Sequence, residues 1–238
     1  MMNVRKFRVA ACLLASLCLA PLAPAQVVRY DNHRSIRVFT PDKASVNQAL
    51  ELGGLLSCRP AVGSVDIEVA PEDMPALRAS GLEFVVLHEN IQELIDAEAA
   101  TMEAARLQRG GTWFTAYKTY AEYDAYVDTL VALNPGIATR FSVGNSLEGR
   151  EIFGIRITGP GSGKPQVAIN ACQHAREWIA PATAMYIADA LVRGYGVDSG
   201  LTELVDSVDF HIILISNPDG FVYTHTNQRL WRKNRRNN

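Results

Sequence analysis

The sequence has few cysteines, almost no net charge and no apolar run long enough to span a bilayer. Of its 4 cysteines, Cys12 and Cys18 fall in the first 18 residues, which leaves Cys58 and Cys172 further along. These two lie in what read as different domains. A disulfide between them stays open, with nothing in the sequence to support it. The formal charge of -2, from 23 basic against 25 acidic residues, argues against a polyanionic partner. The apolar run Val9–Ala20 is shorter than the about 20 residues a spanning helix needs, and no later segment comes closer. Internal repeats and low-complexity tracts are also missing. What remains, 238 residues of 48% hydrophobic content, reads as globular and long enough for one or two cored domains.

The first residues form a segment of another kind. Arg5, Lys6 and Arg8 precede the apolar run, and Ala23-Pro24-Ala25 offers a small-residue cleavage site, the pattern of a secretory signal. Residues 1–25 are expected to be removed, leaving the chain secreted or periplasmic and away from the membrane. Val9-Ala10-Ala11-Cys12 has the look of a lipoprotein signal, but it lies where the hydrophobic region begins, with no apolar segment ahead of it.

Between Val27 and Glu98 the order is strand, helix, strand, helix, strand and a helix leading out. Period-two alternation places strands at Ser35–Thr40 and Val65–Val69, and Phe84–Leu87 supplies a third. Helices are predicted at Ala44–Leu52 and at Pro71–Ala79, the second opened by Pro71 and closed by Gly81. This pattern predicts a small open-sandwich α+β domain over residues 26–98. Ile91–Gln108 reads helical until Gly110-Gly111 breaks it, so a linker is placed at 99–111. Arg106 and Arg109 at that junction could be cut by a trypsin-like protease or could be a solvated helix end.

From Trp113 the elements alternate. A helix is predicted at Tyr120–Leu133, strands at Ala138–Val143, Ile152–Thr158 and Gln166–Ala171, a helix at Glu177–Arg193, and a buried central strand at Val208–Ile215. Asn217-Pro218-Asp219-Gly220 reads as a turn. Residues 112–238 thus begin a mixed-sheet α/β domain with helices on its faces.

The most informative stretch is Asn170 to Trp178, N-A-C-Q-H-A-R-E-W. An apolar strand delivers His174 and Glu177 to the mouth of a helix, at the carboxyl end of a strand, where α/β sheets gather ligands. Three residues apart on one turn, imidazole and carboxylate share a face and form a candidate half of a zinc site. Cys172, two positions earlier, reads as a small buried hydrophobe and is not counted as a ligand.

H-A-R-E-W at 174–178, N-P-D-G-F at 217–221 and T-H-x-x-x-R-L-W-R-K-N-R at 224–235 occur in order. Through these blocks the chain resembles the zinc carboxypeptidases of the carboxypeptidase A and B type. That family holds one Zn2+ with two histidines and one glutamate, and His174 and Glu177 match its first two ligands. Arg232, in W-R-K, matches the catalytic arginine that faces the scissile carbonyl oxygen. Arg176 matches a more peripheral substrate-binding arginine; a structural surface arginine is the other reading. The resemblance implies peptide or protein C-termini as substrate and makes residues 26–98 similar to the activation peptide that shields the cleft until proteolysis. The family places its D-x-N-R-N block, third zinc ligand, substrate tyrosine and glutamate base further downstream, and none of these is found before Asn238. The expectation is therefore a chain that ends inside its catalytic domain, weak in zinc binding and inactive alone, with an uncovered apolar face and an open strand edge.

Several residues stay unassigned. His211 and His225 match no ligand position and read as structural histidines. The basic run Arg229, Arg232, Lys233, Arg235, Arg236 is interleaved only by Trp231, so a substrate loop explains it better than nucleic acid does. Glu148-Gly149-Arg150 matches a family turn and carries no assigned chemistry. Two other readings remain: a non-catalytic secreted binding or inhibitory protein with a degenerate peptidase half-domain, and a fragment of a longer gene product.

Overall fold

A computed structural model describes residues 27–107 and 112–236. The expected signal segment, its cleavage site after Ala25, Arg109 and Gly110-Gly111 all lie outside the described residues.

The first part is built from β1 (Arg34–Thr40), α1 (Lys43–Glu51), β2 (Gly54–Leu55), β3 (Gly63–Val69), α2 (Met74–Ala79), β4 (Phe84–His88) and α3 (Ile91–Leu107). Its sheet runs β2-β3-β1-β4, with β1 antiparallel to both β3 and β4. Alternation along β1 and β3 sends Ile36, Val38, Val65, Ile67 and Val69 to one face, where they meet Val46 and Ala49 of α1 and Met74 and Leu77 of α2. Helix α1 starts where Asp42 accepts from the Ser45 backbone N–H at 2.8 Å while Ser45 Oγ accepts from the Asp42 N–H, a reciprocal cap. Helix α2 begins later than expected, at Met74, with Pro75 rather than Pro71 in its first turn; either position spares an N–H that no carbonyl awaits. Helix α3 continues through residues 99–107 of the expected linker and sends Met102 into the second core.

The second part follows a short 3-10 turn at Trp113–Thr115. It contains α4 (Tyr120–Leu133), β5 (Ala138–Asn145), β6 (Glu151–Ile157), β7 (Gln166–Asn170), α5 (Ile179–Gly194), α6 (Ser199–Ser207), β8 (Asp209–Ile213) and α7 (Pro218–Thr226). The sheet order is β5-β6-β8-β7. Strand β8 is central, antiparallel to β6 and parallel to β7, so the sheet is mixed. Ile155, Ile157, Phe210 and Ile212 occupy one face and are buried with Val127, Leu130, Met185, Ala188 and Val205 of the helices. The other face carries the partly exposed Phe141, Arg156, His211 and Ile213. Among the described strands β5 and β7 are the edges, and β7 is exposed at four of its five residues.

Three local expectations need correction. The predicted helix at Glu177 starts at Ile179, because Ala175 to Trp178 forms a turn before it. Asn217-Pro218-Asp219-Gly220 opens α7 instead of closing a strand as a free turn. Asn217 accepts from the Gly220 N–H at 3.0 Å and Pro218 follows at the first helical position, the usual chemistry of a helix start. Helix α6, capped by Asp198 on the Leu201 N–H at 2.9 Å, stands where the sequence reading places no element.

Candidate functional site

The parallel pair β7·β8 fixes the site. Strand β7 ends at Asn170, the chain passes through Cys172 in the left-handed region (φ 57°), and a hydrogen-bonded turn follows, Glu177 N–H to His174 C=O at 3.2 Å. The two side chains therefore share a side through a turn, not through a helix. His174 Nδ1 lies 2.9 Å from Glu177 Oε1, and both side chains are about one-third exposed, 37% and 32%. Tetrahedral donors at about 2.0–2.2 Å from one zinc ion sit about 3.3–3.6 Å apart, so the 2.9 Å contact is a hydrogen bond that brings the two donors to one side and that a shared ion would open by about half an ångström. Among the described residues no group of three or more His, Cys, Asp or Glu side chains surrounds a common point.

Three anchors hold this turn. The Ala175 N–H donates to the Arg232 carbonyl at 3.0 Å, and Asn217 Nδ2 bridges the carbonyls of Gln173 and Lys233 at 3.3 and 3.0 Å. Trp178 donates from Nε1 to Thr224 Oγ1 at 2.8 Å. His225 stacks on the Trp178 ring with centroids 3.9 Å apart and planes 5° from parallel, and the Arg229 guanidinium lies 3.6 Å from the same ring centroid. Loop 228–233 and helix α7 thereby brace the H-A-R-E-W turn, which ties together all three sequence blocks.

Arg176 and Arg232 belong to this surface, and both point into the N-terminal part of the chain. Arg176 Nη2 donates to the carbonyls of Leu55 and Leu56 at 2.8 and 3.0 Å, and Arg232 Nη2 donates to the Cys58 carbonyl at 2.7 Å. Burial and the neighbouring Arg232 charge lower the Arg176 pKa; it remains a cation. Its mate Arg229 donates to Glu98 at 2.5 and 3.0 Å and to the Arg176 carbonyl at 3.0 Å. Strap residues 54–58 thus lie across both arginines. Nothing in the sequence pattern placed them there, apart from Gly53-Gly54. A Cβ at 53 would come within 2.3 Å of the Glu68 carbonyl, so glycine lets the strap lie flat on β3.

Among the remaining residues, Cys172 is buried, faces the His174 carbonyl at 3.9 Å and has its thiol pushed up to about 12 by burial and then by Glu177. His211 sits on β8 at 3.2 Å from Asp209, which also accepts from Arg156 at 2.8 Å. Arg106, about half exposed, approaches Glu103 and Glu122 at 3.8 and 3.7 Å. No helix among the described residues is long and apolar enough to cross a membrane.

The model of the zinc carboxypeptidase family matches residues 123–238. The chain is 32% identical to carboxypeptidase A1 of Bos taurus, an alignment covering 92% of this chain and 56% of that protein. It is likewise 32% identical to carboxypeptidase A5 of Macaca fascicularis, over 94% of this chain and 54% of that one. The crystal structure of carboxypeptidase A from Helicoverpa armigera superposes with a TM-score of 0.75 at 27% identity, covering 87% of this chain and 54% of its own. The chain spans about half the length of the curated relatives it matches.

Proposed function

Because the chain belongs to the zinc carboxypeptidase family through residues 123–238, we propose that it is an exported metallocarboxypeptidase of the proenzyme type, acting on the C-termini of peptides or proteins. The observation that carries this reading is the pairing of His174 Nδ1 with Glu177 Oε1 at 2.9 Å beside two arginines. His174 and Glu177 would hold the zinc ion as nitrogen and oxygen donors. When bound, zinc in such sites polarises a carbonyl and activates water. The chain's own residues do the rest. Arg232 places a fixed positive charge where negative charge grows on the scissile carbonyl oxygen, and Arg176, with its two-pronged donor set, suits a peptide carbonyl or a terminal carboxylate. In this structure both arginines are engaged by backbone carbonyls of residues 55–58, which is how residues 26–98 would keep substrate out until cleavage at Arg106 or Arg109.

The third ligand and general base are not assigned to any described residue. The test is a peptidase assay on the protein in the presence of zinc, after trypsin treatment. Zinc-dependent C-terminal trimming, lost in His174→Ala and Glu177→Gln, is expected. Activity unchanged in both variants would overturn the assignment.

A further inference from the structure

We propose that Asn217 is a positioning residue of this site, whose side-chain amide fixes His174 relative to Arg232. This rests on the reading of His174 as a zinc ligand and of Arg232 as the arginine facing the scissile carbonyl. Asn217 is 8% exposed, and both ends of its amide are engaged. Oδ1 accepts from the Gly220 N–H at 3.0 Å, and Nδ2 donates to the carbonyls of Gln173 at 3.3 Å and Lys233 at 3.0 Å. Those two carbonyls belong to the residues next to His174 and Arg232.

Starting α7 does not require asparagine. Aspartate, serine or threonine at this place would present an oxygen to the Gly220 N–H as well. What asparagine adds is two donors on one rigid group, and both go to segments that carry the proposed chemistry. Turning the amide over would set its oxygen against two carbonyls, so the carbonyl pair also fixes its orientation.

His174 is thereby held from both sides. Gln173, before it, reaches Lys233 through the Asn217 amide, and Ala175, after it, donates its N–H to the Arg232 carbonyl at 3.0 Å. Ser216 extends the same splint, donating from its N–H at 3.0 Å and from Oγ at 2.7 Å to the Ala171 carbonyl. Between these attachments Cys172 has a φ of 57°, a conformation such a residue keeps only where its surroundings impose it. Bonds to the carbonyls of Ala171 and Gln173 impose it, and they set the path from β7 to His174. Gly220 completes the arrangement. A Cβ there would come within 2.6 Å of Asn217 Nδ2 and 2.7 Å of the Lys233 carbonyl oxygen, so the glycine leaves the space in which amide and carbonyl meet.

A fixed positive charge stabilises a developing oxyanion only where it is aimed beforehand, and a misplacement of about 1 Å costs on the order of a hundredfold in rate. Asn217 touches neither metal nor substrate in this reading. It acts through the neighbours of two residues that do.

Asn217→Asp and Asn217→Ser test this, because each keeps an oxygen to cap α7 and loses both donors. In hydrogen exchange on the full chain, protection of the Ala175 N–H is expected to fall about tenfold, roughly the loss of one hydrogen bond, while Gly220 and Phe221 keep theirs. In the peptidase assay with zinc after trypsin treatment, kcat is expected to fall about 10–100-fold with KM within about twofold. A residue that merely stabilised the fold would lower the melting temperature and leave the kcat of folded molecules alone. Unchanged Ala175 protection in both variants, or an active parent whose variants keep its kcat, refutes the role. Failure of both variants to fold refutes it too, by making Asn217 a structural residue only. A parent that trims no peptide sinks the peptidase reading itself, and this role with it.

Discussion

Arg232 donates to the carbonyl oxygen of Cys58 at 2.7 Å, joining residues 174 positions apart. Together with Arg176 on Leu55 and Leu56, this contact makes the strap a common partner of the two arginines that the proposed chemistry needs. Substrate binding and strap docking then compete for the same donors.

Removing a donor should therefore loosen the strap. Charged hydrogen bonds contribute about 1.5–3 kcal/mol each, and Arg176 makes two while half-buried. Arg176→Ala is expected to destabilise docking by roughly 3–6 kcal/mol at most, and Arg232→Ala, with one contact, by less. Amide hydrogen exchange at residues 54–58 checks this; unchanged protection in Arg176→Ala would refute it.

His225 should make stability depend on pH. Burial first, then Arg229 and Arg106, lowers its pKa from 6.5 to about 4, with Glu122 acting the other way. Between those values the unfolded chain takes up a proton that the folded chain refuses. Stability is therefore full above pH 6.5 and falls as pH drops toward 4, by a few kcal/mol at most. Melting temperatures of the parent and of His225→Phe, which keeps a ring against Trp178, should converge at acid pH as the parent loses more.

Asp219 anchors the turn that carries Glu148 and Arg150. Burial alone would raise its pKa, but bonds from the Ser146 hydroxyl (2.7 Å), the Glu148 N–H (3.0 Å) and Arg150 (2.7 Å) outweigh it and hold the carboxyl below its ordinary value. Asp219→Ala leaves the Ser146 hydroxyl and the Glu148 N–H without their acceptor and Arg150 paired with Glu148 alone, a loss of about 2 kcal/mol. A urea midpoint within error of the parent's would show that water replaces the carboxylate.

Gly154 lies where β6 passes Phe141 and β8. A Cβ there would meet the Phe141 ring at 2.4 Å and the Ile212 carbonyl at 2.7 Å. The ring can swing, but the paired carbonyl cannot without parting β6 from β8, so Gly154→Ala is expected to cost about 1–3 kcal/mol. Thermal unfolding of the variant provides the measure.

Much of this was legible in the sequence because it depends on short-range pattern. Alternation at Ser35–Thr40 and Val65–Val69 marks strands that bury every second side chain, and the apolar run after Val208 belongs to the strand paired on both sides. The elements that escaped are governed by caps. Asn217 reads as a turn residue until its side chain is seen to hold the Gly220 N–H, and Asp198 starts a helix whose apolar period, Leu201, Leu204 and Val205, spans only about two turns.

The sequence by itself determined the two-part organisation, the apolar faces, the motif His174–Glu177 and the family, since these follow from residue type and spacing along a continuous chain. Only the tertiary structure decided that residues 55–58 lie on Arg176 and Arg232 and that His225 and Arg229 brace Trp178. Those contacts join segments far apart in the chain, the strap contacts through backbone carbonyls that any residue supplies and the Trp178 brace through side chains that only folding brings together. Their positions are set by tertiary packing, which local pattern does not encode.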